Sequence, residues 1–156
     1  MDLPYGRSQK GERAVGIRPV SRGQRISAVG ALSTDGIGSC MTFEGTLNGE
    51  TFLFYLENFL CPALKEGQTV IVDNAKAHKV AGVKELIEGK GANPVYLPPY
   101  SPDLSPIECC RAKVRHFLKK VKTRTKETLN EAISEALNMV TENDSKGWFG
   151  HCGYVI

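Results

Sequence analysis

The sequence predicts an α/β protein, a mixed sheet flanked by helices in the order β-β-α-β-α-β-loop-α-α. Three observations carry this. The apolar run Ile26 to Leu32 ends near Asp35-Gly36, a favoured hairpin dipeptide, and a second strand-like run follows. Two further strand-like runs, Thr69 to Asp73 and Pro94 to Leu97, flank a helical pattern, which implies parallel pairing. Beyond a proline-dense loop, apolar residues recur at helical spacing as far as Val140.

Each element has its own local reason. Residues 1–25 are polar, basic and glycine-rich, and read as an extended lead-in. Ile26 to Leu32 and Ile37 to Phe43 are the hairpin strands. Phe52, Tyr55, Leu56, Phe59, Leu60 and Ala63 trace one face of a single amphipathic helix, stopped by Gly67. Thr69 to Val72 is β-branched and buried, with Asp73 at its carboxyl end. Val80, Val83, Leu86 and Ile87 mark a second helix closed by Gly89 and Gly91. Pro98 to Pro106 is neither helix nor central strand, because four prolines fix φ and remove donors. A helix is expected from Ile107 to Val121, and a last one on Leu129, Ile133, Leu137 and Val140.

The 156 residues suit one domain, residues 1–156, and 41% hydrophobic content excludes intrinsic disorder. No apolar run approaches the roughly 20 residues that span a bilayer. Met1 to Gly6 lacks the apolar segment of a signal peptide. Five cysteines with no CxxC pair encode neither a disulfide framework nor a zinc ribbon, and buried small residues are the expectation. A reduced, cytoplasmic protein without a membrane partner follows.

Charge is unevenly laid out around a net +3. One basic patch covers residues 7–25. A second holds Arg111, Lys113, Arg115, Lys119, Lys120, Lys122, Arg124 and Lys126 with no acid between them. Such a stripe is either a polyanion footprint or a solvated helix face.

Two carboxylates stand out. Asp73 ends a buried strand, where ligand sites form in open α/β sheets. Glu108 opens the helix after the rigid loop, with 34 residues between the two. A strand–helix–strand–loop path of that size returns the chain beside the first strand. Two acids brought together repel unless a hard divalent cation such as Mg²⁺ or Mn²⁺ sits between them. The alternative is plainer: Glu108 complements a helix dipole and Asp73 caps a turn.

The wording around them is specific. Asp73-Asn74-Ala75-Lys76-Ala77-His78, followed by Leu97-Pro98-Pro99-Tyr100-Ser101-Pro102-Asp103-Leu104-Ser105-Pro106-Ile107-Glu108, closely resembles the catalytic core of the IS630/Tc1/mariner superfamily of DDE transposases. The likeness extends to Tyr5-Gly6-Arg7, to Lys10-Gly11-Glu12-Arg13 and to the closing Gly147-Trp148-Phe149. It implies an RNase H-like fold in which three carboxylates hold two Mg²⁺ (or Mn²⁺) ions. The implied activity is DNA cleavage and strand transfer at transposon ends. The implied partners are double-stranded DNA (terminal inverted repeats and target) and a second transposase copy, whether in a homodimer or a full-length partner. Asp73 and Glu108 are then catalytic metal ligands, Asn74 and His78 supporting or DNA-facing groups, and the 111–126 run a phosphate-contacting helix.

Two departures are notable. The family's first catalytic Asp lies on the first strand, about a dozen residues before the Tyr-Gly-Arg segment, whereas Tyr5 here is the fifth residue. An absent first strand, no helix-turn-helix region and weak or absent cleavage are therefore expected, with a DNA-binding or dimerising remnant as the alternative. Arg111 stands where the family usually has Trp, a change expected to weaken packing beside the site.

Overall fold

The computed structural model describes residues 25–121 and 125–155. Strand β1 (Ile26–Ser33) pairs antiparallel with β2 (Gly36–Glu44), Ile26 opposite Glu44 and Ser33 opposite Gly36. Gly36 has φ 127°, a backbone state that a side chain would disfavour, so glycine fits the turn at this point. Strand β3 (Thr69–Val72) pairs in parallel with β4 (Asn93–Tyr96), Val72 opposite Tyr96. Helix α1 (Gly49–Tyr55) precedes β3, and α2 (Val83–Glu88) forms the crossover between β3 and β4. Helices α3 (Pro106–Val121), α4 (Lys126–Asn138) and α5 (Glu142–His151) complete the chain.

Both antiparallel and parallel pairing are present, but as two two-stranded ladders that do not hydrogen-bond to each other among the described residues. Side-chain periodicity identifies strands and their faces, while edge pairing depends on tertiary approach. One core serves both ladders. Tyr55, Leu56, Val72, Val83 and Ile87 are buried together, and Val29, Ala31 and Met41 of the hairpin pack against them. Burial of Leu56, Val83 and Ile87, each fully inaccessible, contributes about 1.5–3 kcal/mol apiece. The extended lead-in and its basic patch, up to position 24, lie outside the described residues.

Three expected helices differ from their sequence patterns, and a fourth difference is a helix that was not expected. The single helix expected over Phe52 to Ala63 is α1, a π-helical turn at Leu56–Leu60 and a 3₁₀ turn at Cys61–Ala63. Pro62 cannot donate, and its ring crowds the carbonyl of Asn58 in a continuous α-helix. Asn58 Nδ2 also donates to the Phe54 carbonyl at 2.9 Å, competing with the backbone ladder. Helix α2 begins only at Val83, so Val80 lies outside it, because Gly82 is left-handed at φ 97°. Glu85 Oε2 accepts from the Gly82 N–H at 3.0 Å and closes that start. Helix α4 stops at Asn138, before Val140, and α5 has no counterpart in the sequence pattern.

Helix α5 is held by its cap. Thr141 Oγ1 accepts from the Asp144 N–H at 3.1 Å, and Asp144 Oδ2 accepts from the Thr141 N–H at 2.9 Å. Lys113 of α3 donates to Asp144 Oδ2 at 2.6 Å and to the Met139 carbonyl at 3.0 Å, joining α3 to α5. Lys113, then the backbone and hydroxyl of Thr141, hold the Asp144 carboxyl down to about 2. A depressed folded-state pKa stabilises above the ordinary carboxyl value, and that contribution disappears as pH falls to about 2. Asp144→Asn is thus expected to lower the denaturation midpoint at neutral pH. The gap to the parent should close in urea titrations run progressively from pH 4 towards 2.

The five cysteines are free thiols, with Cys61, Cys110 and Cys152 buried. Burial pushes the Cys110 thiol up to about 11, the state of an inert packing residue rather than a nucleophile. Among the described residues no helix is long and apolar enough to cross a membrane.

Candidate functional site

Asp73 follows the last residue of β3, and its carboxylate leaves the sheet half-exposed. The chain then folds back on it. Asp73 Oδ1 accepts from the Ala75 N–H at 2.9 Å, an Asx turn that starts the 3₁₀ turn Lys76–Lys79. That turn returns His78, whose Nδ1–H donates to the same Oδ1. The His78 ring lies on Phe52 of α1, centroids 4.1 Å apart, and the Tyr96 hydroxyl of β4 donates to the His78 carbonyl at 3.1 Å. Asp73 Oδ2 carries no hydrogen bond among the described residues.

The proline loop brings the second carboxylate. The Leu97 N–H donates to the Val72 carbonyl at 2.9 Å, so the loop leaves β4 directly beside Asp73. A 3₁₀ turn at Pro102–Leu104 redirects it, and the Tyr154 hydroxyl fixes the Leu104 carbonyl at 2.7 Å. Glu108 then stands in the first turn of α3. Asp73, Asn74, Lys79, Tyr100 and Glu108 line one cleft of about 470 Å³. Asp73 and Glu108, paired on their spacing and wording in the sequence, thus share a cleft. Lys79 and Tyr100, which carried no role in the sequence, join them there.

Donor chemistry suits a hard cation. Two carboxylates and the Asn74 Oδ1 are oxygen donors, and Asn74 Oδ1 is buried with no hydrogen-bond partner among the described residues. Mg²⁺ is ordinarily held by one or two carboxylates together with waters and substrate phosphate, so a two-carboxylate set is compatible with it. Among the described residues no group of three or more His, Cys, Asp and Glu side chains is placed to hold a metal ion.

Arg111 changes the electrostatics at Glu108. It lies one helical turn on, and its guanidinium donates to both Glu108 oxygens, at 3.0 and 3.3 Å. The side chain is 61% exposed, so this position is a surface site rather than the packing site that a family Trp suggested. A half-exposed pair of this kind is worth about 0.2–1 kcal/mol. Arg111→Ala is accordingly expected to tighten Mn²⁺ binding by up to about fivefold, read by calorimetric titration.

The remaining basic residues divide in two. Lys113 is engaged with Asp144, and Lys126 pairs with Glu44 at the end of β2. Arg115, Lys119 and Lys120 of α3 form no ion pair among the described residues. Arg111, Arg115 and Lys119 follow an i, i+4, i+8 row along one face. Lys122 and Arg124 lie outside the described residues. Lys119→Ala with Lys120→Ala is expected to weaken binding to duplex DNA and to flatten the log Kd against log salt slope by about 2. Lys113→Ala is expected to leave that slope unchanged, since its charge is already used.

The family model of the DDE superfamily endonucleases matches residues 1–130. Among solved structures, the Mos1 mariner paired-end complex with Mn superposes with a TM-score of 0.78 at 20% identity, over 94% of this chain and 46% of that chain. The Mos1 strand transfer complex gives 0.78 at 20% identity, over 95% and 46%. The catalytic domain of Mos1 mariner transposase gives 0.61 at 15%, over 83% of this chain and 72% of that chain. The chain thus spans about half the length of the transposase chains in those complexes. No curated protein matches it. The shared fold is the RNase H-like arrangement of transposase catalytic domains. With the family match covering most of its length, the chain belongs to the DDE superfamily of endonucleases.

Proposed function

We propose that this chain is the catalytic domain of a Tc1/mariner-type transposase, of the IS630/Tc1/mariner superfamily. Its reaction would be metal-dependent phosphodiester cleavage and strand transfer at the ends of a mobile element. The observation that carries this reading is the meeting of Asp73 and Glu108 in one cleft, through the β3 tip and the proline loop. Asp73 and Glu108 are the residues that would hold Mg²⁺ or Mn²⁺, with Asn74 lining the same cleft as a supporting group. Held there, a divalent cation supplies Lewis-acid polarisation of a phosphodiester oxygen and a bound water of lowered pKa. His78 keeps Asp73 Oδ1 occupied and so leaves Oδ2 to face the ligand. Lys79 on the rim offers a positive charge to a DNA phosphate, and Arg115, Lys119 and Lys120 extend that contact along α3. The paired-end complexes among its structural neighbours support transposon-end DNA as partner, and a homodimer, or pairing with a full-length transposase, belongs to the same proposal. A cytoplasmic location, nucleoid-associated in a bacterium, belongs to the same proposal.

A second reading, a DNA-binding or dimerising subunit that does not cut, is favoured by one observation. Arg111 already neutralises Glu108. Nicking of supercoiled plasmid in Mn²⁺ separates the two. Cleavage by the parent that disappears in Glu108→Gln supports the enzyme. DNA binding without cleavage by either protein supports the subunit.

A further inference from the structure

Tyr100 is the only non-glycine with positive φ among the described residues, at 58°. Left-handed backbone is unfavourable for an aromatic residue and persists where the surroundings impose it. Burial does not compensate here, because the Tyr100 side chain is fully exposed. Its ring joins no aromatic pair and its hydroxyl makes no hydrogen bond among the described residues. Packing therefore gives no reason for the ring, yet it is displayed on the rim of the cleft that contains Asp73 and Glu108. Pro98, Pro99 and Pro102 restrict φ on both sides, so the loop presents it on a stiff support.

Resting on the DNA reading above, we propose that Tyr100 is a stacking platform for the nucleobase that adjoins the phosphodiester in the cleft. A base inside a duplex is paired and covered on both faces, so the ligand is an unpaired base, freed at a cut end or lifted from the helix. Cutting a phosphodiester in the cleft removes the backbone link that holds the adjoining base in the stack, which leaves that base free to swing out onto the ring. Stacking tolerates any base, since each has a π face, so this site adds grip on a DNA end without sequence readout.

The test uses the whole chain and two short duplexes, one blunt and one ending in an unpaired 2-aminopurine. The variants are Tyr100→Asn, which accepts left-handed backbone but lacks the ring, and Tyr100→Phe, which keeps it. The parent is expected to quench 2-aminopurine and to prefer the unpaired end. Tyr100→Asn is expected to lose the quenching and to bind that end about tenfold more weakly, with blunt-duplex affinity unchanged. Tyr100→Phe is expected to match the parent. Equal quenching and affinity in Tyr100→Asn would overturn the platform while leaving the DNA reading in place. Failure of the parent to bind either duplex would overturn both.

Discussion

Asp73→Asn is expected to reduce Mn²⁺-dependent nicking by more than about a hundredfold, since the loss of groups that merely orient metal ligands already costs roughly 10–100-fold. The substitution keeps size and shape, and Asn Oδ1 can still accept from the Ala75 N–H that forms the turn. What it removes is the negative charge and the second carboxylate oxygen of a residue that lines the cleft. The fold should survive, because the Asp73 side chain is half-exposed and takes no part in the core. Circular dichroism and thermal unfolding unchanged beside lost nicking is the expected pair of results. Nicking at the parent rate would remove Asp73 from the chemistry.

His78 carries the second large effect. Its imidazole does two separable jobs, donation to Asp73 and contact with the Phe52 ring. His78→Phe preserves the ring contact and removes the donor. His78→Asn places an amide N–H close to where Nδ1–H was and gives up the ring. If His78 positions Asp73, the Phe variant binds Mn²⁺ about 10–100-fold more weakly and the Asn variant recovers most of that loss. If His78 matters only as a partly buried ring packed on Phe52, the order reverses, with Phe near the parent and Asn destabilised. Mn²⁺ titration followed by electron paramagnetic resonance reads this without any cleavage step.

Much of this site was legible in the chain, and the reasons are local. A β-branched run ended by an acid places that acid at a strand tip, which is where Asp73 stands. Four prolines between Leu97 and Ile107 leave little conformational choice, so the loop that delivers Glu108 was readable as a rigid non-helical segment. Strand extents agreed to within about a residue because β-branching and turn dipeptides act over short range.

What escaped the sequence depended on partners far along the chain, or on signals other than apolar period. Lys113 read as one more cation in a basic stripe, yet its partner Asp144 lies 31 residues away and turns it into a tertiary link. Helix α5 contains Gly147 and Gly150 and shows no apolar stripe. The signal that could have found it is Thr141 followed three residues later by Asp144, the reciprocal cap seen in the structure. Arg111 was visible as a departure, and its i, i+3 spacing from Glu108 was enough to suggest the ion pair. The left-handed backbone of Tyr100 has no sequence signature, because nothing in a Pro-Tyr-Ser segment asks for it.

The central claim is that Asp73 and Glu108 act as one metal site. Calorimetric titration of Mn²⁺ into the parent, Asp73→Asn, Glu108→Gln and the double variant tests it most directly. One shared site predicts that each single substitution removes most of the affinity and that the double variant is little worse than either. Affinity that is unchanged in both single variants, or losses that add as if the two carboxylates were independent, would contradict it.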